Sequence, residues 1–297
     1  MKGEVIVKLN GGLGNQMFQY AAGRALALCN SAELVLDTRT GFAWDTVYRR
    51  EYELGCFPIE FREASFFEQL PFWLERLAHR ADRRDFSGIA KRPWGTFLCE
   101  NASRFVGDAF HEKIHSLFVT GYWQNEAYFS EIRDLIGKEF RLPSAEKGRF
   151  PEMARRMEAC NSVAIGVRLF EEVPGVTKAG VGGLVPISYY GRAARRLNGP
   201  PNPEFFVFCT SQSAALDELD LPGPVHFITH DNGFEGTIER LWLLSRCRNH
   251  VISNSSFYWW GAWLAEFERP ETKVAAIDRF PNKATIPVRW IRISPEE

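Results

Sequence analysis

Val5-Ile6-Val7-Lys8-Leu9, then Asn10-Gly11-Gly12-Leu13-Gly14, then Asn15 to Asn30, is the stretch that decides the fold. The first five residues read as a buried strand and the glycines as a tight turn. Met17, Tyr20, Ala21, Leu26 and Leu28 give the following segment the apolar spacing of a helix. Glu33-Leu34-Val35-Leu36-Asp37 reads as a second strand. Strand, glycine turn, helix and strand in this order open a parallel α/β unit.

Outward from that opening, the alternation weakens and then returns. Residues 39–70 are irregular and aromatic. Residues 72–92 read as a basic helix, with Arg76, Arg80, Arg83, Arg84, Lys91 and Arg92 set against Glu75, Asp82 and Asp85. A solvated face is the default for such a run, and contact with an anionic substrate or membrane surface is the sharper alternative. Phe118 to Trp123 reads as a strand and Asn125 to Phe140 as a helix, ended by Leu142-Pro143-Ser144. The second half gives strands at 163–167, 205–209, 225–228, 251–252 and 274–277. Helices are expected at 188–197, 214–219, 238–246 and 256–267. The boundary falls in 142–161, giving an N-terminal domain of residues 1–155 and a C-terminal domain of residues 156–297.

Composition narrows the function. Among 297 residues, 45% are hydrophobic and 25% charged, and the net charge is −1. This is an ordinary globular balance, and it argues against nucleic-acid binding through bulk charge. The longest apolar or glycine run, Phe257 to Ala265, is far short of the about 20 residues a membrane span needs. The N-terminus lacks a signal-peptide core. A cytoplasmic protein with at most peripheral contact at the inner membrane is expected. The six cysteines are scattered without a C-x-x-C pair, so reduced and mostly buried thiols are expected. The high aromatic content favours core packing over sugar stacking.

Four segments could carry chemistry. Gly11 to Gln16 sits where a phosphate approaches a helix N-terminus, and Asp37 lies where a dinucleotide fold places its ribose-binding acid. Met17 stands where the third glycine of that fingerprint would fall. His111-Glu112-Lys113-Ile114-His115 spells H-E-x-x-H, a zinc-hydrolase pattern if helical, but Gly107 and Gly121 bracket it closely. Ser253-Asn254-Ser255-Ser256-Phe257 follows a strand and opens a helix, which suits an anion, with simple N-capping by Asn254 or Ser255 as the plainer reading. Arg168 ends the strand Val163 to Val167, and its fork can neutralise a diphosphate. Glu171 or Glu172 could pair with it, or take a proton from an acceptor hydroxyl. No D-x-D metal motif occurs, so no metal and no cofactor is expected.

Several motifs together resemble the bacterial α-1,2-fucosyltransferases and, more distantly, the wider fucosyltransferase superfamily. Gly11-Gly12-Leu13-Gly14-Asn15-Gln16-Met17-Phe18-Gln19-Tyr20 is similar to the family's N-terminal signature. Gly121-Tyr122-Trp123-Gln124 with Tyr128-Phe129, then Ser188-Tyr189-Tyr190, match its inner segments. Leu244-Ser245, Cys247, Asn254 to Phe257 and Trp259-Trp260-Gly261-Ala262-Trp263 match its C-terminal motif. The resemblance covers residues 5 to about 267. The centre departs from it. Where the family has H-x-R-R-G-D-Y, this chain has Gly166-Val167-Arg168-Leu169-Phe170-Glu171-Glu172, and where an aspartate is expected to hold guanine it has Cys209-Thr210-Ser211-Gln212.

The resemblance implies two Rossmann-like α/β domains facing across a cleft, a GT-B-type glycosyltransferase, with the donor mainly on the C-terminal half. It implies inverting, metal-independent transfer of L-fucose from GDP-fucose to a glycan, such as a lipid-linked O-antigen unit. Arg168, Ser255, Ser256 and Phe257, with Gly12, Gly14 and Asn15 from the N-terminal half, would bind the donor. Arg168 would also stabilise the leaving diphosphate, and Glu171, or next Glu172, would act as base. Three alternatives stand beside it: another nucleotide-sugar donor, a catalytically silent nucleotide- or sugar-binding member, and the zinc hydrolase of His111, Glu112 and His115.

Overall fold

The computed structural model describes residues 3–43, 45–81, 88–100, 116–143, 148–168, 185–197 and 201–295, with the side chains of 78–81 excepted. The chain divides into two compact units, Met1–Phe140 and Arg141–Glu297. The division comes earlier than residue 155, because the helix Pro151–Ala159 (α4) packs on the C-terminal unit's strand Ser162–Gly166 (β7) and helix Thr237–Arg246 (α6).

Unit 1 has a six-stranded sheet. Its strands are Glu4–Lys8 (β1), Glu33–Asp37 (β2), Arg62–Glu63 (β3), Gly88–Arg92 (β4), Gly95–Cys99 (β5) and Ser116–Thr120 (β6), in the order β3-β2-β1-β6-β5-β4. All neighbours are parallel except the β4–β5 hairpin at one edge. Leu13–Cys29 (α1) follows β1, and its Met17, Phe18, Tyr20 and Ala21 are buried, as the apolar spacing requires. Phe66–Ala81 (α2) precedes the hairpin, and Arg133–Glu139 (α3) closes the unit.

Two expectations change here. Residues 88–92 are a strand and not the end of a basic helix. The helix ends at Ala81, and Gly88 and Gly95 adopt φ of 123° and 152° at the two ends of the hairpin. At Gly95 a Cβ would strike the Phe118 ring at 2.6 Å. The helix expected over 125–140 is instead two short 3-10 turns, at 126–128 and 130–132, leading into α3.

Unit 2 has a second six-stranded sheet, built from β7, Glu204–Phe208 (β8), Val225–Ile228 (β9), Asn249–Ile252 (β10), Lys273–Ile277 (β11) and Ile291–Ile293 (β12). Its order is β12-β11-β10-β7-β8-β9, and every pair is parallel. Helices α4, Ile187–Arg196 (α5), α6 and Ser256–Glu268 (α7) accompany it. The strands are apolar on both faces, as a helix-covered parallel sheet demands. Trp242, Trp259, Trp260 and Trp263 are fully buried. The tryptophans of the C-terminal motif are therefore core, and Trp259 Nε1 donates to the Thr285 carbonyl at 2.8 Å. Cys99, Cys209 and Cys247 are buried, whereas Cys29 and Cys56 are exposed. Among the described residues, no helix is long and apolar enough to cross a membrane.

Candidate active site

In unit 2 the chain runs outward from β7 through β8 to β9, returns to β10 on the other side of β7, and continues to β11 and β12. Ligands of open α/β sheets bind at the carboxyl ends of the strands, where the order reverses. That point lies between β7 and β10. Arg168 leaves β7 there and Ser253 to Phe257 leave β10 there. The two ends are tied directly, since Ser253 N–H donates to the Gly166 carbonyl at 3.2 Å.

The start of α7 receives no charge compensation from its own first turn. Ser255 holds the N-cap position with extended backbone, φ −120° and ψ 126°, yet its side chain makes no capping bond, and the first turn has no acid. The plainer capping reading of Ser255 therefore fails. The positive end of the helix dipole is left without an anionic partner from its own first turn. Ser255 is buried and Ser256 and Phe257 are half-buried, so the helix start is partly shielded from water. Behind it, the Tyr190 hydroxyl lies beside the backbone of Arg168 and the side chain of Ser253, and burial holds its pKa far above the ordinary value, so it stays protonated.

Tyr258 forms the floor. Its hydroxyl donates to the carbonyls of Val167 at 2.7 Å and Phe208 at 2.9 Å, joining the ends of β7 and β8. Its ring lies over Gly166. Position 166 is where the resemblance expects a histidine, and here the tyrosine ring occupies that volume.

At the end of β8, Arg240 is buried and donates to the Cys209 carbonyl at 2.8 Å, and its other nitrogen meets His230 Nε2 at 2.8 Å. The backbone N–H of Gln212 donates to Asp231 Oδ2 at 2.9 Å. The turn after β9 thus brings a carboxylate beside 209–212, a segment that has none of its own. Asp231 carried no motif. Its one sequence signal is a carboxylate directly after a strand end. Tyr258 lay inside a recognised motif without a role.

Unit 1 uses its glycine turn differently. Gly11 has φ of 74°, and a Cβ there would lie 2.5 Å from Asn15 Nδ2. Gln16 and Gln19 are fully buried. Gln16 donates to the carbonyls of Gly11 at 2.9 Å and Glu51 at 2.8 Å, and accepts from Glu53 N–H at 2.9 Å. Gln19 donates to Asn10 Oδ1 at 2.7 Å and the Gly121 carbonyl at 3.0 Å, and accepts from Asn10 N–H at 2.9 Å. Asn15 Oδ1 accepts from Gln124 Nε2 at 2.8 Å. Gln19 and Asn15 thus tie the loops after β1 and β6 together, while Gln16 ties the turn to residues 51–53.

The first N–H of α1, at Leu13, is taken by Glu53 Oε2 at 2.9 Å. A phosphate at this helix start would meet a carboxylate, so the phosphate reading of the turn is corrected. The ribose reading of Asp37 is corrected too. Asp37 is fully buried, and its carboxylate accepts from Arg39 and Thr40 N–H groups, at 3.1 and 3.0 Å, and from the Thr40 hydroxyl.

Gly12, Gly14 and Asn15 therefore stand together in unit 1, and Arg168 stands with Ser255, Ser256 and Phe257 in unit 2. Glu171 and Glu172, and the His111, Glu112 and His115 set, lie outside the described residues. Among the described residues no group of three or more His, Cys, Asp or Glu could hold a metal ion.

Two parallel-sheet units, with an arginine and an open helix start at the switch point of the second, define the protein as a sugar-transferring enzyme of the glycosyltransferase class once its relatives are considered. The pattern of glycosyl transferase family 11 matches residues 108–283, and the chain belongs to that family. It is 29% identical over 311 residues to an α-1,2-colitosyltransferase of Escherichia coli, covering 97% of this chain and 98% of that protein. It is 22% identical over 283 residues to the E. coli O-antigen biosynthesis glycosyltransferase WbnK, covering 88% and 90%. Its fold is similar to that of a mutant of Arabidopsis thaliana FUT1 in complex with GDP, with TM-score 0.51, 16% identity and coverage of 93% of this chain and 70% of that chain.

Proposed function

We propose that the chain transfers L-fucose, or its 3-deoxy analogue colitose, from a GDP conjugate to a hydroxyl of a glycan, forming an α-1,2 linkage with inversion. The observation that carries this reading is the convergence of Arg168 and the open start of α7 on the neighbouring strand ends β7 and β10. A guanidinium fork and a helix dipole end together suit a leaving diphosphate. The acceptor oxygen attacks the anomeric carbon, the bond to the β-phosphate oxygen breaks, GDP departs with the electron pair, and the acceptor proton passes to a carboxylate. Glu171 is proposed as that base and Glu172 as the next choice. Gly12, Gly14 and Asn15 are proposed to meet donor hydroxyls rather than phosphate, since Glu53 already occupies the α1 start.

Four further points support the donor and acceptor. The relative at 29% identity is named for colitosyl transfer, and colitose differs from fucose by one hydroxyl. The similar fold of FUT1 was solved with GDP. Asp231 places an acceptor for guanine N–H groups next to Gln212. The relative WbnK is named for O-antigen biosynthesis, which favours a lipid-linked glycan acceptor and a cytoplasmic site of action, where nucleotide sugars are available.

A different nucleotide sugar is the second reading, favoured by the Tyr258 ring standing where the family histidine would be. A thermal-shift series with GDP, UDP, dTDP, CDP and their sugar conjugates separates the two. A ligand at 100 times its Kd adds about 2.7 kcal/mol. GDP, GDP-fucose or GDP-colitose alone should stabilise the protein. Stabilisation by another nucleotide replaces the donor, and no stabilisation by any of them leaves a silent member of the family.

A further inference from the structure

Helix α2 faces the wrong way for a helix that serves only the core. Its inward residues are Gln69, Pro71, Phe72 and Glu75, all buried. Phe72 packs on Phe97 and Phe118, Gln69 donates to the Ala64 carbonyl, and Glu75 pairs with Arg92 at 3.1 Å. The large apolar side chains point outward instead. Phe66 is 66% exposed, Phe67 80%, Leu74 41% and Leu77 61%. At about 100° per residue, these four, with half-buried Leu70 and Trp73, fall within an arc of about 120°. A continuous apolar stripe on the surface marks an interaction site.

Among the described residues of α2 and β4 the acids are paired, and the exposed charges Arg76 and Lys91 are basic. Both acids of the described part of α2 are paired with arginines of the sheet edges, Glu68 with Arg62 at 2.7 Å and Glu75 with Arg92. Arg76 flanks the apolar arc, and Lys91 is exposed on the edge strand β4, which Arg92 ties to α2. A second copy of the chain would bring this basic rim against itself, whereas an anionic surface would not.

We propose that the outward face of α2 docks the protein on an anionic lipid bilayer. The helix has 16 residues, with its charges flanking an apolar arc, so it lies in the plane of the interface rather than across it. Phe66, Phe67, Trp73, Leu74 and Leu77 enter the headgroup–acyl boundary and the basic rim meets lipid phosphates. The surface belongs to unit 1, and the proposal stands whether or not the donor is GDP-fucose.

The test is co-sedimentation of the full chain with phosphatidylglycerol–phosphatidylethanolamine vesicles and, separately, with phosphatidylcholine vesicles, at low and high salt. The expected result is binding to the anionic vesicles that weakens with salt, and little binding to phosphatidylcholine. The variant Phe67→Ser/Leu74→Ser/Leu77→Ser should bind at least about tenfold more weakly, with an unchanged near-UV spectrum and melting point because these side chains are exposed. Lys91→Glu should weaken binding at low salt and reduce its salt dependence. Absence of binding to anionic vesicles overturns the proposal. So does a triple variant that binds as the parent does, or a parent dimer that the triple variant converts to monomer, which would assign the face to a second copy. The assay reads lipid binding and not transfer, so its failure leaves the transferase reading standing.

Discussion

The Tyr258 ring covers Gly166 so closely that a Cβ on residue 166 would lie 2.5 Å from Cγ and 2.8 Å from Cδ1 and Cδ2. The atoms it would meet belong to the root of a ring whose hydroxyl is fixed at the other end by Val167 and Phe208, so the ring cannot swing aside cheaply. The two positions are therefore one choice, made jointly. Gly166→His alone should cost about 3 kcal/mol or more, at the upper end of overpacking penalties. Combined with Tyr258→Ser, which removes the ring, the histidine should be accommodated. A urea-unfolding cycle of the parent, the two single variants and the double variant measures the coupling. Strict additivity of the two single effects would separate the positions and undo this reading of the floor.

Arg168 sits just beyond β7, half-buried, where it can serve a ligand without holding up the core. Arg168→Ala should lower turnover about 100- to 1000-fold, the usual effect of losing one electrostatic donor to a developing charge, with the melting point nearly unchanged. Arg168→Lys should recover only part of the loss, because an ammonium keeps the charge but not the fork. An Arg168→Ala enzyme with full turnover would remove the residue from the diphosphate site.

Asp231 is the carboxylate proposed to meet guanine, since the segment 209–212 has none. Asp231→Asn keeps an oxygen for the Gln212 N–H, so the turn should hold, but loses the negative charge that two guanine N–H groups would seek. GDP affinity by titration calorimetry should fall about tenfold to hundredfold, in line with about 1.5–3 kcal/mol for a charged hydrogen bond. UDP, if it binds at all, should not respond. Unchanged GDP affinity would assign guanine recognition elsewhere.

Asp231 and Tyr258 also show where the sequence stops being legible. The opening strand, turn and helix, the strands of unit 2 and the helix from Ser256 could be read because each is a local pattern of apolar spacing and turn residues. The pairings β7–β10 and β8–β9 are non-local. They alone bring Tyr258 over Gly166 and Asp231 beside Gln212. The misreading of 88–92 has a related cause, since a two-strand hairpin of mixed polarity at a sheet edge has no period to find, and Gly88 and Gly95 were its only marks. Gln19 of the first motif was visible as a residue, but its work in joining the β1 and β6 loops depends on a strand more than ninety residues away. The α7 start was legible as an unusual run of hydroxyls, but not that Ser255, at the N-cap position, leaves the helix uncapped.

Glu100 gives a prediction that does not depend on the donor. It follows β5 and is buried, and its Oε2 accepts from the backbone N–H groups of Tyr122 and Trp123, both at 3.0 Å. This clamp holds a sharp turn, with Gly121 at φ 143° and Trp123 at φ 56°. Burial pushes the Glu100 pKa up from 4.5 to about 7, against the two N–H groups, which pull it down. An acid raised in the folded state favours folding while it is protonated. Its contribution is full below pH 4.5 and is lost as pH rises through about 7. The loss amounts to at most about 3 kcal/mol at 1.36 kcal/mol per pKa unit. Glu100→Gln keeps an oxygen for both N–H groups and removes the ionisation. The variant and the parent should unfold at similar urea concentrations near the acid end of this window, and the variant should be the more stable at about pH 8. If the parent loses no more stability than the variant between those limits, Glu100 is not a buried carboxyl under desolvation stress, and the clamp on Trp123 must be held by something other than this balance.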